Sequence, residues 1–172
     1  ADVIVRITGD CPLIDPSLID KCINKYFETD VDYCSNISPP TFADGLDVEV
    51  ISVSALKKIS KMTQDAYHCE HVTSYINESK SFSKANVFNN KNFSFLRVTL
   101  DNFDDLKTIK NIFEFFSPNI YFDCKEIENL YAKQPNLFTN LNFTRNYGAR
   151  MNKGQKLWQR AKKIIPGGNM LL

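Results

Sequence analysis

No stretch of this 172-residue chain comes near the roughly 18 consecutive apolar residues that a membrane-spanning helix requires. Nor does the N-terminus show a charged segment followed by an apolar run of the secretory-signal type. The five cysteines are odd in number and nowhere spaced C-x-x-C, which argues against a disulfide framework and a zinc knuckle and suits a reducing cytoplasm. Glycine is scarce: the six residues include one adjacent pair, Gly167-Gly168, so the chain holds no glycine-rich loop of the kind that cradles phosphates. An excess of one charge is also missing. Twenty-one Lys and Arg against twenty Asp and Glu give +1, which carries no electrostatic signature of nucleic-acid binding. Neither nucleic acid nor a membrane is an expected partner.

What is present fits one main α/β domain, because a chain of about 150 residues buries roughly 68–70% of its extended surface on folding. Charge is unevenly spread: seven basic and no acidic residues follow position 144, leaving fourteen basic against twenty acidic before it. The β-branched run Val3 to Ile7 reads as a strand. Asp15 then reads as a helix N-cap, with Pro16 in the first turn and Leu18, Ile19, Cys22, Ile23, Tyr26 and Phe27 at helical spacing. Strands are expected in "VDYCSN", in "LDVEVIS" and, more weakly, in "FSKANVF". Helices are expected from Ser54 to Met62, from Ala66 to Glu78 and from Asp123 to Lys133. In "FLRVTLD", Leu96, Val98 and Leu100 alternate with Arg97, Thr99 and Asp101, which predicts another strand. Asn102 caps the helix after it, with Asp104 and Asp105 in its first turn and a core stripe of Leu106, Ile109, Phe113 and Phe116.

Two pentapeptides share a pattern: "RITGD" at 6–10 and "RVTLD" at 97–101. Each ends an apolar run and precedes a helix signal, the place where open α/β sheets bind ligands. With the two strands side by side, Asp10 and Asp101 converge at one sheet edge. Two adjacent carboxylates repel unless neutralised, and Mg²⁺ is typically held by one or two carboxylates while phosphate and water complete its shell. The pattern suggests metal-assisted phosphoryl or nucleotidyl chemistry; the bland alternative is that both aspartates cap turns. Arg6 and Arg97 either contact phosphate or a sugar carboxylate, or pair with Asp10 and Asp101. Asp47 and Glu49 share one side of their strand, an exposed polar face in the plain reading. His68 and His71 have the i, i+3 spacing that permits metal ligation, a weak signal by itself. Cys11 has no base spaced to activate it and reads as a small buried hydrophobe.

The segments "ADVIVRITGDCPLIDPSLID", "DYCSN", "PPTFADGLDVEV", "EHVTSYI" and "LRVTLDNFDDL" together resemble the cytidylyltransferases of spore-coat polysaccharide and CMP-sugar synthesis. The resemblance runs from Ala1 to about Tyr147. It implies a Rossmann-like three-layer α/β sandwich of the nucleotide-diphosphosugar transferase type, which couples CTP to a sugar, an acidic one in related enzymes, and releases pyrophosphate. It implies that Asp10 and Asp101 hold Mg²⁺, and that Asp47, Glu49, Glu70 and His71 join Arg6 and Arg97 as substrate contacts. Cys69 stands where the family pattern usually has Arg.

The family opens with a phosphate-gripping loop that this sequence does not contain, so the domain is expected to be N-terminally truncated and inactive by itself. "GQKLWQRAKKIIPGGNMLL" is similar to the start of glutamate-semialdehyde-type aminotransferases. The expected organisation is therefore a cytidylyltransferase portion at 1–147 and the linker and first helix of an aminotransferase-like domain at 148–172. PLP would belong to that domain's absent remainder. Two other readings stand beside this one, a fragment of an aminotransferase fusion and a non-catalytic interaction module. The resemblance leaves a homodimer open. A sheet without its first strands is expected to expose an edge.

Overall fold

In the computed structural model, which describes residues 1–143 except the side chains of Ala66 and Glu70, the first apolar run forms strand β1 (Val3–Arg6). Three more strands follow, β2 (Tyr33–Ser35), β3 (Glu49–Ser52) and β4 (Lys84–Asn86), in the spatial order β1-β3-β2-β4. β3 pairs antiparallel with both β1 and β2, while β2 and β4 run parallel, so the sheet is mixed. The boundary at 147, the aminotransferase-like segment at 148–172 and the side chain of Glu70 lie outside the described residues.

Alternation along the strands divides the core in two, because successive side chains point to opposite faces. Cys34 and Val50 join Leu18, Cys22, Leu96, Val98, Ile112 and Ile127 on one side. That side is covered by helices α1 (Pro16–Thr29), α5 (Phe103–Phe116) and α6 (Cys124–Lys133). Tyr33 and Ile51 face the other way, onto Ala55 and Ile59 of α2 (Val53–Met62), Ile76 of α4 (Ser74–Glu78) and Phe82. Helices on both faces of a central sheet make the expected three layers. β1 lies at the edge, with Ile4, Val5 and Ile7 exposed at 39%, 37% and 41%.

Asp15 caps α1 through Ser17 N–H (2.7 Å) as its sequence position predicts. Its second oxygen also accepts from Cys124 N–H (3.0 Å) at the start of α6, so one buried carboxylate closes two helix N-termini. Phe27, placed on the core side by spacing, is 64% exposed. The buried stripe of α1 is the narrower Leu18, Cys22 and Tyr26, and Phe27 packs edge-on against Tyr26.

Three expectations need correction. The 97–101 segment is not a regular strand: its one bridge pairs Arg97 with Asp44, and Leu100 is exposed while Leu96 and Val98 are fully buried. The expected helix from Ala66 to Glu78 is two short helices, α3 (Ala66–Glu70) and α4, separated at Val72, whose φ is 50°. The buried face of α5 is Asp105, Thr108, Ile109 and Ile112, with Leu106, Phe113 and Phe116 half-buried. The face turns because Asp105 and Thr108 find polar partners inside, which removes the cost of burying them.

Candidate active site

The two pentapeptides meet, though by loops rather than by neighbouring strands. β1 stops at Arg6, and Thr8, Gly9 and Asp10 turn away from the sheet. The backbone carbonyl of Asp10 then accepts from Leu100 N–H (2.8 Å) and from Thr99 Oγ1 (3.1 Å). These bonds, made one and two residues before Asp101, bring the ends of the two motifs together. A second crossing supports them: Asp44 N–H donates to Leu96 O (2.9 Å) and Val98 N–H to Asp44 O (2.7 Å). The crossing is so close that a Cβ on Gly45, whose φ is 102°, would lie 2.4 Å from Thr99 N. Buried Asn36 braces the same loop, donating to Leu46 O (2.7 Å) and accepting from Val48 N–H (2.9 Å).

These segments and the α3–α4 region enclose a cleft of about 1070 Å³. Asp10, Asp47, Glu49 and Asp101 line it, as do Arg6, Arg97 and His71. With Asp44 and Glu78, six carboxylates face two arginines among the described lining residues. That excess of negative charge would repel a phosphate unless a cation entered with it.

Arg6 pairs across the β1–β3 register with Glu49, not with Asp10. Glu49 is buried and also accepts from Tyr33 Oη and Thr73 Oγ1, each at 2.6 Å. Its oxygens thus hold an arginine at the cleft wall. Burial and the Glu49 charge beside it push the Tyr33 phenol well above its ordinary pKa, so it remains a donor.

Arg97 is bound to three carboxylates. Its Nη1 donates to Asp44 (2.7 Å), its Nη2 to Asp101 and to Asp105 (3.0 Å), and its Nε to Asp105 (2.9 Å). The Phe143 ring lies 5.3 Å from the guanidinium carbon. Burial alone would disfavour the charge, but the bonds to Asp105 and Asp101 outweigh it and raise the Arg97 pKa. Asp105 is fully buried; it also accepts from the N–H groups of Asp101 (3.0 Å) and Asn102 (3.2 Å) and from Asn140 Nδ2 (2.7 Å). Burial raises its pKa, yet the bonds from Arg97 and Asn140 more than offset this and leave it below the usual carboxylate range.

Sequence spacing missed Asp105, Asn140, Thr73 and Tyr33. Asp105 was visible as a first-turn acid after Asn102, and the two do form a capping box. Its burial against Arg97 left no local signal. The two histidines go separate ways: His68 Nδ1 is 2.8 Å from Ser74 Oγ, while His71 lines the cleft with its ring 4.6 Å from that of Tyr67. Cys11 lies beside Thr8 and Asp10, and burial, with the charges of Asp10 and Asp47, pushes its thiol up to about 11. A thiol that stays protonated at neutral pH is a poor nucleophile.

The donor set at the cleft suits a hard divalent cation. Asp10 and Asp101 offer exposed oxygen ligands, and no cluster of three or more His, Cys, Asp or Glu with metal-site geometry occurs among the described residues. Oxygen donors of this kind are the type that a hard divalent cation takes.

Comparison with known proteins places the chain in a family. A solved cytidylyltransferase from Leptospira borgpetersenii is 29% identical with a TM-score of 0.78, the match covering 83% of this chain and 61% of that one. An uncharacterized protein of Methanocaldococcus jannaschii is 33% identical over 79% of this chain and 56% of its own length. The spore coat polysaccharide biosynthesis protein SpsF of Bacillus subtilis is 29% identical over 80% of this chain and 58% of its own. The chain thus spans a little over half the length of these curated relatives. The family model for cytidylyltransferases matches residues 1–143, which include the meeting of the two aspartate motifs, and the chain belongs to that family.

Proposed function

We propose that this chain carries the metal- and sugar-facing part of an enzyme that transfers CMP from CTP to a sugar, with Mg²⁺ and release of pyrophosphate. The observation that carries the reading is the meeting of the two motifs at the Asp10 carbonyl, with Asp10 and Asp101 exposed in an acid-rich cleft. A sugar hydroxyl attacks the α-phosphorus, the bond to the bridging oxygen of pyrophosphate breaks, and the hydroxyl proton passes to water. Asp10 and Asp101 would hold Mg²⁺, which when bound neutralises phosphate charge and eases ionisation of the hydroxyl. The chain's own contribution is positioning. Arg6 keeps donors beyond the one given to Glu49 and meets the carboxylate of an acidic sugar, while Asp47 faces its hydroxyls. The product would be a CMP-sugar for surface polysaccharide synthesis, the process named for the Bacillus relative.

The test is Mg²⁺-dependent pyrophosphate release from CTP with a panel of acidic and neutral sugars. It is run on the 172-residue chain and on a version extended N-terminally by a phosphate-loop segment. Release is expected from the extended version alone, and Asp10→Asn or Asp101→Asn should lower it at least about 100-fold, beyond the usual effect of partners outside the metal shell. Silence of the folded, extended protein on every sugar, or indifference to both substitutions, would remove the reading.

A further inference from the structure

We infer that Arg97 and Asp105 are positioning residues for Asp101, and that Arg97 does not serve as a phosphate contact. This rests on the reading of Asp101 as a cation ligand. Asp105 holds Asp101 from both ends. Its Oδ2 accepts the Asp101 backbone N–H (3.0 Å), which fixes the main chain carrying the ligand. The same oxygen and its partner Oδ1 bind Arg97 Nη2 and Nε, and Nη2 in turn grips the Asp101 side chain.

The guanidinium has little freedom to do anything else. Its Nη1 is taken by Asp44, Phe143 lies near it, and its side chain is 11% exposed. Asp105 is fixed too, because Asn140 Nδ2 donates to it and Asn140 Oδ1 accepts from Thr108 Oγ1 (3.0 Å) on α5. Orientation is therefore transmitted from the helix through a buried acid and a half-buried guanidinium to one exposed carboxylate. Lysine cannot replace this arrangement, since one ammonium has no planar fork to reach three carboxylates at once. Partners of this kind, outside the ligand shell, typically carry a 10–100-fold effect on metal affinity.

The test is Mn²⁺ binding to the 172-residue chain, without nucleotide, followed by the EPR signal of the free ion. Asp101→Asn, Arg97→Gln and Arg97→Lys are compared, with CTP binding in the presence of Mn²⁺ and the urea midpoint measured alongside. Arg97→Gln leaves Asp105 buried without its charge partner and risks unfolding, whereas Arg97→Lys keeps that charge and decides the matter if it does. The expected result is a Kd for Mn²⁺ raised about 10-fold in Arg97→Lys, at the low end of that range. Unchanged Mn²⁺ affinity in a folded Arg97→Lys chain whose Asp101→Asn counterpart has lost binding overturns the positioning role alone. The same holds if only CTP binding weakens. If Asp101→Asn itself leaves Mn²⁺ affinity intact, the cation reading of the site falls and this inference with it.

Discussion

Two kinds of residue at this site answer to different physics. Gly45 is required by space and by backbone conformation: its φ of 102° strains any L side chain, and a Cβ would meet the 98–99 backbone. Gly45→Ala should therefore cost clearly more than about 1 kcal/mol, seen as a lowered urea midpoint, and should open the cleft where Asp44 crosses Val98. Asp15 and Asp105 are held by hydrogen bonds to their charged forms. Burial pushes Asp15 up, but the Cys124 and Ser17 N–H groups bring it below its ordinary value of 3.8, as Arg97 and Asn140 do for Asp105. With folded pKa values below the unfolded ones, both acids contribute stability that is present above about pH 4 and lost as pH falls through the folded values. The urea midpoint should drop as pH falls from about 4 toward about 2, with a shallower slope in Asp15→Asn. Asp15→Ala should cost about 1–2 kcal/mol at neutral pH, since the cap of α1 and the partner of the Cys124 N–H go with it.

Among the elements, the region from Asp65 to Ser79 shows how tertiary contacts override periodicity. Local spacing favours one helix across it, yet Thr73 must turn inward to donate to Glu49, and Ile76 must reach the core beside Tyr33. The chain breaks at Val72, a β-branched residue at a φ of 50° that such side chains strongly disfavour. Strain of this sort amounts to about 1–3 kcal/mol, so Val72→Gly should raise stability by up to about 1 kcal/mol net of the added unfolded-state entropy. An unchanged or lower melting temperature would show that the turn is relaxed as it stands. Lys84 secures the other end of α4, its ammonium donating to the carbonyls of Ile76, Asn77 and Ser79. Caps at Asp15 and Asn102 were legible because their partners lie two or three residues away, whereas Asp123, expected as the first residue of its helix, is in fact its N-cap. The burial of Asp105 was not legible, because Asn140 stands 35 residues off.

For the molecule as a whole, β1 is the exposed feature. Among the described residues no strand pairs with its outer edge, which carries Ile4 and Val5, and such an edge is a template for pairing with another strand. Val5→Lys should reduce self-association of the chain in sedimentation experiments without moving its urea midpoint by more than about 0.5 kcal/mol, as expected of an exposed position. The acid-rich cleft sets a second expectation. Low salt should favour divalent-cation binding there, and raising the ionic strength should weaken it, because screening acts on carboxylates open to solvent.

What the sequence determined by itself is whatever depends on near neighbours: the strand runs, the capped helices, the alternation that divides the core, and the two Arg-x-Thr-x-Asp motifs. Those features are set by steric and hydrogen-bonding preferences within a few residues. The tertiary structure decided the rest. It alone joins Leu100 to Asp10, assigns Arg6 to Glu49 instead of Asp10, and gathers Asp44, Asp101 and Asp105 around Arg97. The reason is that a charged group takes its partner by distance and burial, and both are fixed only when segments far apart in the chain pack together.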